Sequence, residues 1–462
     1  MLLTGDEGGA PHVAVPGVTP GFDPLGFQAS RTTEIERNAA AGLSHVLYAK
    51  SPGGVAASAA RTSAYRGMID ADAAAVGADP AALEAIVFVE SAGRPDVVAG
   101  PDPAAAAGLA QILAETGRHL LGMRIDLRAS RKIAREIALK GAGMPPTRHQ
   151  RLLAERRRVD ARFDPRGAIS GLARYLQIAH ARFGRWDLAV ASYHMGIGNL
   201  ENVLRAYLGD RSATPINVLV RRMGLSYARV YMDSTPLRHL AAYRLLSRFG
   251  DESPNYYWKV LAAERIMSLF RQDRGLLDRL ATLHGEKASA EDVLHPENQT
   301  KVFGDPASLS DATAAGAIVP LPNDPARYGF RVDPGMGRLA TRIGRPPALY
   351  RGLRPAALHL LTYLASGVRR LSGQRAPLTI TSTVRDHSYQ QLLIGQTAEA
   401  TRGYSLHTTG FAFDVLRRYR GPGQALAFQF MLDRLQALNL IAWVREPQAI
   451  HVAVSSNASA LP

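Results

Sequence analysis

The chain has no cysteine. That absence removes disulfides, thiolate metal sites and a cysteine nucleophile together. No run of apolar residues is long enough to span a membrane. The first residues, MLLTGDEGGAPH, carry neither the basic nor the apolar stretch of an export signal. Acidic residues are scarce beside basic ones: 40 Asp and Glu against 55 Lys and Arg give a formal net charge of +15 and a pI near 10.2. That sign suits an anionic partner. No zinc-finger spacing and no basic motif interleaved with aromatics is present, so no specific nucleic-acid partner is expected. What remains is a globular composition of 46% hydrophobic and 21% charged residues over 462 positions. That length suffices for two or three domains, each with its own core.

The most informative stretch is residues 79–93, DPAALEAIVFVESAG. Asp79 suits a helix N-cap and Pro80 the first helical position. Leu83, Ile86 and Val87 recur at helical spacing, and Glu90 falls on the same stripe. A carboxylate there is costly unless paired or protonated. It also sits in the last turn, where the helix dipole disfavours negative charge. Both effects predict a raised pKa, as a general acid near neutral pH requires. The bland alternative is a rim glutamate reaching to water.

Two later stretches favour the acid. Gly108-Leu109-Ala110-Gln111-Ile112 follows, then Ala191-Ser192-Tyr193-His194-Met195-Gly196-Ile197-Gly198-Asn199. The order ES, GLxQI, AxYxxGxGN resembles the soluble lytic transglycosylases, which have a lysozyme-like, mostly α fold. The resemblance implies that Glu90 protonates the MurNAc–GlcNAc glycosidic oxygen. The C6 hydroxyl of muramic acid then attacks, leaving a 1,6-anhydro sugar. It further implies that Ser91 positions the acid or the sugar, and that Gln111, Tyr193, Asn199 and Tyr256 line the saccharide site. Tyr256, in Asn255-Tyr256-Tyr257-Trp258-Lys259, matches the family's NYVPK-type segment, although Tyr257 could take the role. The family usually carries Asn where this chain has His194. Asp96 or Asp102, if facing Glu90, would make a hydrolytic lysozyme the better reading. The basic stretch 148–162 is expected as a solvated helix face and an insertion relative to the family. Gln111 is expected to begin a helix. Gly196 and Gly198 are expected to let the chain turn beside the sugar.

Residues 276–345 mix Pro, Gly, Asp and Ser and read as a linker with short helices. Beyond them the pattern becomes α+β. Helices are expected over 356–371, 389–396 and 425–438, and strands over 378–383, 410–415, 440–444 and 449–454. Ser405-Leu406-His407-Thr408-Thr409-Gly410-Phe411-Ala412-Phe413-Asp414 fits SxHxxGxAxD, and Ile450-His451-Val452 adds a later imidazole. Two imidazoles and a carboxylate with an open position form the ligand set of a catalytic zinc. Gly410 and Ala412 would be small so that metal and substrate approach that face. SxHxxGxAxD resembles the M15-type D-alanyl-D-alanine peptidases and their LAS zinc-peptidase relatives. The resemblance implies Zn2+ held by His407, Asp414 and His451, with Arg385 holding the substrate carboxylate. The family's general base lies close before the last His. The nearest match is Glu446, five residues before His451 with Pro447 between.

The expected organisation is therefore an N-terminal extension (1–64), a transglycosylase-like domain (65–275), a linker (276–345) and an M15-like domain (346–462). The expected function is glycan cleavage with a second, zinc-dependent site for D-Ala-containing stem peptides. The alternative is a transglycosylase or lysozyme-type hydrolase whose C-terminal domain only binds peptides. Expected partners are peptidoglycan strands, stem peptides and anionic wall polymers. The expected location is the cell envelope, periplasm or exterior, with the export signal removed or lying upstream of the given start.

Overall fold

The computed structural model describes residues 23–140, 143–250, 252–286, 290–394, 403–456 and 458. Residues 1 to about 30 are rich in Gly and Pro and are expected to be irregular; positions 1–22 of that segment, and the end of the helix expected over 389–396, lie outside the described residues. The chain divides by internal contacts at Gly285/Glu286. Residues 27–285 form a helical unit, and 286–462 form a second unit that also holds residues 23–26.

The helical unit runs α1 (Thr32–Lys50), α2 (Val55–Ser63), α3 (Arg66–Val76), α4 (Pro80–Ser91), α5 (Leu127–Lys140), α6 (Pro146–Val159), α7 (Pro165–Phe183), α8 (Trp186–Met195), α9 (Ile197–Leu208), α10 (Ile216–Met223), α11 (Tyr227–Asp233), α12 (Leu240–Arg248), α13 (Glu252–Gln272) and α14 (Arg274–Glu286). Their ends follow local chemistry. Asp79 accepts from the Ala81 N–H at 2.8 Å and Asp164 from Gly167 at 2.9 Å, each before a proline at N1. The central element is α13, against which α1, α2, α4 and α8 pack. Trp258, Val260, Ala263 and Met267 are fully buried there. Leu83, Ile86 and Val87 of α4 are likewise fully buried. Gly93 is small for a packing reason: at φ +71 a Cβ would stand 2.5 Å from the Thr62 nitrogen.

The second unit holds α15 (Ala290–Leu294), α16 (Pro306–Ala314), α17 (Pro355–Ser372), α18 (His387–Ile394) and α19 (Pro422–Ala437). Strands β1 (Val319–Pro320) and β3 (Gly352–Leu353) pair alone. The other five are β2 (Phe330–Val332), β4 (Leu378–Ser382), β5 (Ala412–Leu416), β6 (Ile441–Arg445) and β7 (Ala449–Val454), in the order β2-β4-β5-β7-β6. Only β2/β4 is parallel. The register aligns Ser382 with Asp414, Asp414 with His451, and His451 with Val444, so these residues share one face. Phe413, Val415, Ile450 and Val452 alternate onto the other face and are buried.

The expected boundaries need correction. Residues 32–63, expected as an extension, are α1 and α2 of the helical unit. The expected linker is no linker. Residues 276–285 continue α14, and Phe303, Leu309 and Ile318 are buried with Tyr350, Val384 and Tyr389 in one core. Polar composition hid a segment whose larger apolar residues, Phe303, Leu309, Ile318 and Phe330 among them, are turned inward. The sheet likewise begins at Phe330, before the expected start at 346.

Candidate functional site

In the helical unit the Tyr256 hydroxyl donates to Glu90 Oε1 at 2.6 Å, from α13 to the last turn of α4. Glu90 is half-buried and Tyr256 is buried. Burial pushes the Glu90 carboxyl up to about 7, against the opposing pull of the Tyr256 hydrogen bond and the Lys259 charge. The acid whose charge reaches Glu90 is Glu252, itself ion-paired with Lys259. Asp96 instead faces Arg157 at 3.3 Å, and Asp102 accepts the Ala104 N–H at 2.9 Å. Tyr257 takes a separate partner, Glu36, at 2.9 Å. Six residues before Glu90, Glu84 is fully buried between Arg66 (3.0 Å) and Arg271 (2.5 Å).

The three motifs are stitched together. Tyr193 donates its hydroxyl to the Ala110 carbonyl at 2.6 Å, and its ring stacks near Tyr256 at 6.2 Å. The exposed His194 stacks on Tyr256 at 5.3 Å and bonds the Ser253 hydroxyl through Nδ1 at 2.8 Å. Asn199 is exposed and donates to the Met195 carbonyl at 2.8 Å, bracing the turn at Gly196, where φ is +92. Gly198 lies inside α9 in open space, so the turn needs only Gly196.

Several expected roles change. Ser91 is buried and its hydroxyl donates to the Val87 carbonyl within its own helix, so it closes α4 rather than holding acid or sugar. Gln111 begins no helix: it sits at φ +46 and its amide donates to the carbonyls of Gly108 (2.9 Å) and Val97 (3.2 Å). The basic stretch 148–162 is not wholly solvated. Arg156 and Arg162 are buried, with Arg156 3.6 Å above the Phe163 ring. Arg162 pairs with Asp160 at 2.8 Å and donates to the carbonyls of Pro103 (2.7 Å), Ala105 (2.8 Å) and Ile112 (3.3 Å). A Cβ on Gly108 would stand 1.7 Å from the Arg162 carbonyl oxygen, so glycine is required there. Arg162 thus holds the loop that follows the glutamate helix, a role hidden in the sequence because nothing local distinguishes it from its exposed neighbours.

The second unit brings His407, Asp414 and His451 together, all buried, with one ligand atom from each lying within 4.8 Å of the others. His407 Nε2 stands 3.1 Å from Asp414 Oδ2, and His451 Nδ1 stands 2.8 Å from Asp414 Oδ1. A tetrahedral zinc site with bonds of about 2.0–2.2 Å has ligand–ligand edges of roughly 3.3 Å; Asp414 Oδ1 lies 3.2 Å from His407 Nε2 and 2.8 Å from His451 Nδ1, so two of the three edges are near that span and the donor set is one that zinc takes. The Thr383 carbonyl, 2.7 Å from His407 Nδ1, can only accept; the proton is therefore on Nδ1 and the Nε2 lone pair faces Asp414. Burial and the Arg385 charge lower His407 to about 4. Burial opposes charge on His451 too, but the hydrogen bond and charge of Asp414 outweigh it and raise His451 to about 9. Those two imidazoles, against the effect of burial, hold Asp414 well below the usual carboxylate range.

The three groups open into a cavity of about 880 Å³ also lined by Arg338, Arg385, Glu291 and Glu446. Glu446 lies in the β6–β7 turn. Arg385 lines this cavity with its guanidinium already engaged by neighbours. Its nitrogens contact the Ser382 hydroxyl (2.7 Å), Gln390 Oε1 (3.0 Å) and Asp414 Oδ2 (3.2 Å). Gly410 and Ala412 are small for the fold: Ala412 packs with Leu406 and Ala453, and a Cβ on Gly410 would stand 2.6 Å from Ile318 Cδ1. Sequence reasoning missed Glu291, whose Oε2 lies 4.0 Å from the outer nitrogen of His451. It lay in the expected linker and no motif marked it.

With this geometry established, comparison shows that residues 144–212 match the family model described as Transglycosylase SLT domain. The match covers α6 to α9, with Tyr193 and Asn199, and stops short of Glu90 and Tyr256. It includes the whole of the stretch 148–162 expected as an insertion. No curated protein matches the chain. The match supports peptidoglycan lytic transglycosylase activity and a lysozyme-like reading of the helical unit, with glycan strands as substrate.

Proposed function

We propose that the chain cleaves the MurNAc–GlcNAc bond of peptidoglycan with Glu90 as its general acid, leaving 1,6-anhydro-muramic ends. The observation that carries this is the Glu90 carboxyl raised to about 7 with the Tyr256 hydroxyl on one oxygen. At neutral pH a large share of Glu90 is protonated and can donate to the leaving oxygen. The resulting carboxylate, steadied by Tyr256, then takes the proton of the C6 hydroxyl as that oxygen closes on the anomeric carbon. No water is consumed, so one carboxyl group suffices where hydrolases use two. Tyr193 and His194 hold Tyr256 in place by stacking. Mass spectrometry of digested sacculi tests this: 1,6-anhydro ends are expected, and reducing ends in their place would identify a hydrolase.

We read the second unit as a zinc-dependent site for D-Ala-containing stem peptides. Its support is the convergence of His407, Asp414 and His451, with one ligand atom from each within 4.8 Å of the others, beside a cavity large enough for a peptide. A zinc ion bound there would lower the pKa of a coordinated water and polarise a peptide carbonyl. Glu446 is the group assigned to move the proton. Arg385 positions Asp414, and Arg338, exposed on the cavity wall, is the cation assigned to the peptide carboxylate. Glu291 adds a negative charge 4.0 Å from the outer nitrogen of His451. Metal analysis with stem-peptide turnover tests the reading: zinc without turnover leaves a binding module, and no zinc after reconstitution removes the ligand assignment. Both substrates lie outside the cytoplasmic membrane, so we place the protein in the cell envelope. Among the described residues no helix is long and apolar enough to cross a membrane.

A further inference from the structure

Charge is unevenly distributed along the chain. Residues 127–159 hold ten Lys and Arg against two Glu, so 33 residues carry +8 of the total +15. They form α5 and α6, which share a small core of Ile133, Met144 and Leu152 flanked by Ile137 and Val159. Some of the cations have structural partners: Arg148 pairs with Glu136 at 2.5 Å, Arg157 with Asp96 at 3.3 Å, and Arg156 lies over Phe163. Four others do not. Arg128, Arg131, Lys132 and Arg135 are all exposed and follow the spacing i, i+3, i+4, i+7, so they share one face of α5. That face is opposite the one bearing the buried Ser130 and Ile133. Among the described residues none of the four forms an ion pair with an acid. Like charges at this spacing repel one another and weaken the helix.

We propose that this stripe docks a flexible phosphate-diester polyanion of the cell envelope and so holds the helical unit on an insoluble substrate. Phosphate polymers are bound largely through point charges whose counterions are released on contact. Two other polyanion classes fit less well. Residues 127–159 contain no Phe, Tyr or Trp, so the hairpin has no platform on which unpaired bases could stack. Its apolar side is closed into the Ile133/Met144/Leu152 core, and the single large apolar side chain it exposes among the described residues, Leu139, is too little to seat a helix in lipid. The hairpin is also joined to the loop after the glutamate helix through Arg157–Asp96, which places a docked polymer on a segment built against the site. This inference goes beyond glycan cleavage, and its binding test reads out whether or not Glu90 is the acid.

The full chain is titrated with labelled poly(glycerol phosphate) at several salt concentrations, beside duplex DNA of equal phosphate content and phosphatidylglycerol vesicles. Tightest binding to poly(glycerol phosphate), weakening steeply with salt, is expected. The combined variant R128Q/R131Q/K132Q/R135Q should bind about tenfold more weakly or worse, with its log–log salt slope reduced by about 3. Its circular dichroism, and its glycan cleavage on sacculi stripped of phosphate polymers, should match the parent. A control variant, R211Q/R221Q/R222Q/R244Q, removes the same charge outside the hairpin and should bind as the parent does. Equal loss in both variants would mean that net charge alone acts and would overturn the assignment. So would unchanged binding by the stripe variant, or tighter binding to DNA or to vesicles.

Discussion

Glu90 and Asp414 are both carboxylates withdrawn from water, one in each unit, and their surroundings drive them in opposite directions. Around Glu90 stand a phenol and aromatic rings, with one lysine acting from beyond. Burial wins there and the acid is held toward its neutral form. Around Asp414 stand two imidazoles and a guanidinium, and their attraction overcomes burial and keeps it ionised. Glu84 sharpens the comparison, because it shares α4 with Glu90 yet lies between two arginines. A buried carboxyl group is therefore driven toward its neutral or its ionised form according to the partners that tertiary packing supplies.

The largest expected effect comes from setting the two sites against each other. Glu90→Gln keeps shape but cannot donate a proton, so anhydro-product formation should fall about a hundredfold or more while bound zinc stays unchanged. His407→Ala should abolish bound zinc and stem-peptide trimming while anhydro ends persist. Muropeptide mass spectrometry and metal analysis on both variants check this, and a loss of both activities in either variant would break the comparison. Glu291→Gln removes a negative charge 4.0 Å from His451 and should weaken zinc without removing a ligand, read by competition with a chelator.

Arg162→Met breaks a fully buried ion pair and leaves Asp160 uncompensated. It should destabilise the helical unit by about 3–5 kcal/mol, measured by denaturant unfolding. Asp160→Asn alone is expected to cost less, because Arg162 retains its carbonyl acceptors. A loss below ~1 kcal/mol for Arg162→Met would show that the loop is held by other contacts.

The smallest effect is a shift in a pH profile. The active form has Glu90 protonated, so activity should decline as pH rises through about 7. The Tyr256 hydrogen bond favours the carboxylate, so Tyr256→Phe should move that decline to higher pH. Stability carries the matching sign. A carboxyl whose folded pKa is raised stabilises the protein while protonated, below its unfolded value, and that contribution is lost as pH rises through about 7. Glu90→Gln should therefore melt higher than the parent at pH 8, with the gap narrowing toward pH 5. An unmoved profile in Tyr256→Phe would detach the phenol from the acid.

Periodicity and capping signals made most elements legible from the sequence alone. Leu83, Ile86 and Val87 mark the buried face of α4, Asp164-Pro165 opens α7, and the apolar run 449–454 forms the expected strand β7. Those signals work because helix spacing, strand alternation and caps act between residues a few positions apart. The motif residues could be named for the same reason, as each motif is contiguous. Only the tertiary structure decided which tyrosine meets Glu90, that Ser91 turns back into its own helix, and that Arg385 faces Asp414. It alone showed that Arg162 carries a loop some fifty residues earlier and that Glu291 of the supposed linker stands beside His451. These contacts join residues from about thirty to well over a hundred positions apart, apart from the local turns of Ser91. An arginine's or glutamate's partners at such distances depend on packing and burial, which no local spacing encodes.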